Sequence, residues 1–107
     1  MSTTALITGA SSGIGKELAY IHAEKGGNLI IVARRADKLL ELKSDIESKH
    51  SVKVETFTKD LSVQGSAKEL YDDIGRAGLT VDYLINNAGF GLRGKFQDLD
   101  WDRQLQM

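Results

Sequence analysis

The segment Ala5-Leu6-Ile7-Thr8-Gly9-Ala10-Ser11-Ser12-Gly13-Ile14-Gly15 constrains this chain more than any other. A short apolar run passes through a glycine- and serine-rich turn straight into a stretch of helical period. The glycines follow the spacing G-x-x-x-G-x-G, one residue longer in its first interval than the common G-x-G-x-x-G. Such an order of parts suits an anion. The strand delivers the turn to a sheet edge, glycines let the backbone come close, and the helix start offers N–H groups and a positive dipole. The turn Thr8–Gly15 is therefore expected to cradle the pyrophosphate of a dinucleotide. An ordinary loop of glycine and serine would not need that strand–turn–helix context.

The rest of the chain supports a sheet of that kind. Apolar runs at Ala5-Leu6-Ile7, Leu29-Ile30-Ile31-Val32, Val52 to Phe57 and Val81 to Ile85 alternate with three helical stretches. The second run is continuously apolar, as in a parallel strand buried on both faces. The third alternates, with Val52, Val54 and Thr56 on one side, which suits a sheet edge. The helical stripes read Ile14, Leu18, Ile21 and His22; Leu39, Leu42 and Ile46; and Ala67, Leu70, Tyr71 and Ile74. Gly26-Gly27 stops the first helix, Gly75 with Gly78 stops the third, and Ser62 is the expected N-cap of the third. Alternating strands and helices of this length imply βαβ crossovers and a parallel sheet.

Chemistry-bearing residues recur where strands end. Ala33-Arg34-Arg35 follows the second strand, where dinucleotide folds often place an acid for the ribose 2′-OH. Two guanidiniums suit the 2′-phosphate of NADP(H) instead. A hydrogen bond to a charged group contributes about 1.5–3 kcal/mol before solvent screening, roughly a ten- to hundredfold preference per arginine at best. Asp60-Leu61 follows the third strand, where the carboxylate could accept from the adenine amino group and the leucine line the ring; a plain turn role for Asp60 fits equally well. Asn86-Asn87-Ala88-Gly89 follows the fourth, with small and amide side chains that permit close packing against a ligand.

Taken together, Thr8–Gly15, Asp60-Leu61 and Asn86-Asn87-Ala88-Gly89 resemble the short-chain dehydrogenase/reductase family, in its order and spacing over essentially the whole chain. The resemblance implies an α/β Rossmann-type parallel sheet with helices on both faces and first-half strand order 3-2-1-4. It also implies that Gly9, Ser11, Ser12, Gly13, Ile14 and Gly15 contact the pyrophosphate or ribose, and that Arg34 and Arg35 select NADP(H). Asn87, Ala88 and Gly89 would lie beside the cofactor ribose, while Asn86 steadies the sheet.

Family catalysis uses a tyrosine with a lysine four residues on, in a second half that these 107 residues do not include. The fourth residue after Tyr20 is Glu24, after Tyr71 Gly75, and after Tyr83 Asn87. No catalytic residue is assigned, and residues 1–107 are expected to be inactive alone. The expected parent is an NADP(H)-dependent carbonyl reductase or alcohol dehydrogenase acting on a small carbonyl or alcohol; the alternatives are a non-catalytic NADP(H)-binding module, a redox sensor or an inactive fragment. Residues 1–107 are read as a single dinucleotide-binding domain, cut off in a helix that Asp98 or Asp100 would cap and that Leu99, Trp101 and Leu105 would line. An apolar fourth strand left at an open edge invites pairing, so a homo-oligomer is expected.

Composition narrows the alternatives. A net charge of -1 gives no general pull toward nucleic acid or anionic membranes, and no apolar run is long enough to span a bilayer. With no cysteine there is no thiolate chemistry, in keeping with a reducing cytoplasm, and His22 and His50 are too far apart to suggest a metal site.

Overall fold

Four short strands lie side by side in the order β3-β2-β1-β4, all parallel. This computed structural model describes residues 3–11 and 13–86. The elements run β1 (Thr4–Thr8), α1 (Gly13–Glu24), β2 (Asn28–Ala33), α2 (Ala36–Lys49), β3 (Val54–Thr58), α3 (Ser66–Arg76) and β4 (Tyr83–Asn86). The α/β reading and the 3-2-1-4 order expected from sequence are what the chain adopts.

The period-two alternation of the strands divides the core into two clusters. Ala5, Ile7, Leu29, Ile31, Val54 and Ile85 point to the side covered by α1 and α2, where they meet Ala19, Ala23, Leu39, Leu42 and Ile46. Leu6, Ile30, Val32 and Leu84 point to the other side, covered by Leu70 and Ile74 of α3. Helices thus cover both faces, and the two central strands, β1 and β2, are buried on both. Leu6 and Ile30 are fully enclosed; truncating either to alanine is the kind of change that costs about 2–5 kcal/mol.

Three local expectations are corrected. The packed side of α1 is Gly15, Ala19 and Ala23, whereas Ile14 and Ile21 are exposed. Small side chains let a helix lie close to its sheet, so a stripe drawn through the large residues picked the wrong side; Leu18 alone of the apolar ones packs against the core. Ser62 does not cap α3, which starts four residues later behind Gly65 in a left-handed conformation (φ 89°). The third and fourth strands begin at Val54 and Tyr83, two residues after the apolar runs do. Ahead of β3, the N–H of Lys53 donates to Oδ1 of Asn28 at 2.9 Å.

Both glycine stops act as expected. Gly26 (φ 88°) and Gly78 (φ 70°) turn the chain out of α1 and α3, while Gly75 itself remains inside α3. At the start of the edge strand β3, the N–H of Val54 donates to the Glu47 carboxylate of α2 at 3.0 Å. Among the described residues, no helix is long and apolar enough to cross a membrane. The helix expected around Asp98 to Leu105 lies outside the described residues.

Candidate functional site: the carboxyl edge of the sheet

Strand register brings the separate motifs to one place. Thr8 pairs with Val32 and with Asn86, and Ala33 pairs with Thr58. The segments that begin at Gly9, Arg34 and Lys59 therefore leave the sheet side by side along one edge. Two backbone bonds tie them together: Ala10 N–H donates to the Val32 carbonyl at 3.1 Å, and Lys59 N–H to the Ala33 carbonyl at 3.0 Å. Thr8 and Ala10 are completely buried beneath the turn.

The turn has the conformation that its glycines allow. Gly9 and Gly13 both sit at positive φ, 64° and 59°, where a side chain would be strained. No described heavy atom lies within 4 Å of the place a Cβ on Gly13 would occupy, so the backbone there is open to an approaching group. Gly13 is also the first residue of α1, whose opening N–H groups have no intrahelical acceptor. Gly15 is buried on the packed side of α1, and Ile14 next to it is 56% exposed. An open glycine backbone at a helix start fits a phosphate-bearing ligand. Ser11 is half-buried at the turn, and Ser12 lies outside the described residues.

Arg34 and Arg35 are both exposed just beyond β2, but they face different surroundings. Arg35, in extended conformation (φ -112°, ψ 115°), immediately precedes α2. Its Nε donates to Oδ1 of Asp37 at 3.2 Å and its Nη2 to Oδ2 at 2.8 Å. The Arg35 guanidinium, helped by the N–H groups of Lys38 and of Asp37 itself, holds the Asp37 carboxyl below the usual range. Arg34 makes no ion pair among the described residues; its charge acts on Asp60 instead.

Asp60 performs the turn role that the sequence left open. Its Oδ1 accepts from the Ser62 N–H at 3.0 Å and the Ser62 hydroxyl at 2.5 Å. These bonds, with a smaller contribution from Arg34, keep its carboxyl below the ordinary carboxylate value. Leu61 is half-buried against the α3-side core. Asn87, Ala88 and Gly89 lie outside the described residues.

Asp37 escaped the sequence reading. The available signal was an acid in the first turn of the helix after the basic pair, two residues from Arg35, where the helix dipole also favours it. Tyr20, by contrast, has a structural explanation: its hydroxyl donates to Asp45 across α1 and α2, which pushes its pKa up to about 12. A polar groove of about 930 Å³ separates these helices. Ser11 alone of the expected cofactor residues lines it, together with Asp37, the partner of Arg35.

Comparison with known proteins agrees with this geometry. A family model described as short chain dehydrogenase matches residues 3–107. The very-long-chain 3-oxoacyl-CoA reductase of Phaeosphaeria nodorum is 46% identical over 89 residues, covering 81% of this chain and 26% of the relative. Among solved structures, the L-sorbose reductase of Gluconobacter frateurii, complexed with NADPH and L-sorbose, superposes with a TM-score of 0.76 at 32% identity. That match covers 84% of this chain and 34% of the other. A short-chain dehydrogenase from Sphingobium yanoikuyae in complex with NADPH gives 0.74 at 37% identity, over 81% and 34%. The chain spans about a quarter of the length of the curated relatives it matches.

Proposed function

The chain belongs to the short-chain dehydrogenase/reductase family, and from that premise we propose that it forms the cofactor-holding domain of an NADP(H)-dependent oxidoreductase. The reaction is hydride transfer between a nicotinamide and a small carbonyl or alcohol. One observation carries the reading: a strand–glycine turn–helix junction with Gly9 and Gly13 at positive φ stands beside two exposed arginines on the next strand end. The NADPH bound to the sorbose reductase and to the Sphingobium protein supports the same cofactor.

Each residue then has a separate task. The backbone from Gly9 to Gly15 would donate to the pyrophosphate, and Arg34 and Arg35 would hold the 2′-phosphate. Asp60 has its Oδ1 engaged by Ser62, so Oδ2 would accept from the adenine amino group while Leu61 lines the ring. Ser11, Ser12 and Ile14 would join the turn in contacting the pyrophosphate or ribose, and the family resemblance would put Asn87, Ala88 and Gly89 beside the cofactor ribose. When bound, the nicotinamide supplies or receives the hydride. No residue of 1–107 is assigned the proton, since no tyrosine among them has a lysine four residues on.

The alternative reading is an NADP(H)-binding module that never turns over. The two readings part in a kinetic experiment on the full-length protein with NADPH, NADH and a panel of ketones. Reduction of a ketone supports the enzyme, and residues 1–107 alone are expected to give none. Arg35→Ala should raise the KM for NADPH by about tenfold and that for NADH by less than about twofold. Equal losses for both cofactors would remove Arg35 from the account.

A further inference from the structure

The two arginines at the end of β2 are not equivalent. Arg34 makes no ion pair among the described residues, whereas the side of Arg35 that could grip a phosphate with two parallel N–H bonds is already occupied. Nε and Nη2 of Arg35 both donate to Asp37, each to a different oxygen. A phosphate approaching that same fork meets a carboxylate at its own binding distance, with like charge. Arg35 and Asp37 are 66% and 57% exposed, and an ion pair so open to water is weak. A more highly charged phosphate could displace the carboxylate, at the expense of part of its own binding free energy.

We propose that Asp37 is a specificity-determining positioning residue: it competes with the cofactor's 2′-phosphate for Arg35 and so tempers the preference for NADP(H) over NAD(H). This rests on the cofactor assignment made above. Asp37 sits in the first turn of α2 and receives backbone N–H groups there, so the helix stabilises it in the competing position. The preference is thus set by three side chains, Arg34, Arg35 and Asp37, and not by the basic pair alone.

The test uses the full-length protein and two probes that lack the nicotinamide, 2′,5′-ADP and 5′-AMP, titrated by calorimetry. Asp37→Asn removes the charge while keeping an acceptor for the helix N–H groups, and Asp37→Ser serves as a second variant with the same expected outcome. Each should tighten 2′,5′-ADP binding about three- to tenfold and leave 5′-AMP within about twofold. In an Arg35→Ala background, the same Asp37→Asn change should have no effect on 2′,5′-ADP. Unchanged or weaker 2′,5′-ADP binding in the Asp37 variants would overturn the proposal. So would an equal gain in the Arg35→Ala background, because the carboxylate would then act by general charge and not through Arg35. Equal binding of the two probes by the unaltered protein would instead overturn the NADP(H) assignment beneath it.

Discussion

At Gly27 there is no room for a methyl group. A Cβ there would stand 2.0 Å from Nε2 of His22 and 2.4 Å from its Cδ2. The His22 ring lies half-buried, 3.4 Å from the Thr3 carbonyl by Nε2 and edge-on to Tyr83 with ring centroids 6.0 Å apart. Gly27→Ala must therefore swing the imidazole out of its place and should lower stability by about 1–3 kcal/mol. Adding His22→Ala to Gly27→Ala should recover part of that loss in a urea denaturation series; purely additive costs would contradict the steric account. The sequence placed His22 on an apolar stripe of α1, but the identity of its neighbour was not legible. That contact depends on where the chain returns after Gly26, which no local pattern encodes. Asp37 escaped for a related reason: an acid two residues from an arginine reads as ordinary helix-start chemistry until the fork between them is seen.

Among the elements, α2 was read correctly from Leu39, Leu42 and Ile46, whose large side chains do face the core. The same method failed on α1, where the contact side consists of Gly15, Ala19 and Ala23. Periodicity weighted by side-chain size finds bulky interfaces and overlooks close ones. The start of α3 was misplaced because Ser62 bonds to Asp60, a local competition between turn and cap that serine enters readily. Besides the packing of Leu70 and Ile74, α3 is tied to the end of β3 by Lys59, which reaches Asp73 at 3.1 Å and Glu69 at 3.3 Å, while Arg76 reaches Asp73 at 2.6 Å. Hydrogen bonds from Arg76 and then Lys59 hold the Asp73 carboxyl below its ordinary 3.8, and the bonds to Asp73 and Glu69 hold the Lys59 ammonium above 10.5. A lowered carboxylate stabilises the fold fully above 3.8 and loses that contribution as the pH falls below it. A raised ammonium stabilises fully below 10.5 and loses its contribution as the pH rises above that value. Thermal unfolding of Asp73→Asn should accordingly show a stability deficit that is flat across neutral pH and closes in acid below 3.8. A deficit that persists undiminished at strongly acid pH would contradict the assigned ion pairs.

For the molecule as a whole, the parallel register is what turns a linear series of motifs into a site. Thr8, Ala33, Thr58 and Asn86 end their strands at one edge, so the residues that follow them converge although up to about eighty positions separate them. The parallel sheet could be read in advance, because alternation of short apolar runs with helices leaves few topologies, whereas the strand order followed from the family resemblance of the motifs. Which carboxylate each arginine would face could not, since that depends on side-chain directions at the ends of two different strands. The central claim is that this edge holds NADP(H), and calorimetric titration of the full-length protein with NADPH and with NADH tests it most directly. Preference for NADPH by at least about tenfold is predicted, the effect of about 1.4 kcal/mol from the 2′-phosphate contacts. Equal affinity for the two cofactors, or no binding of either, would contradict it.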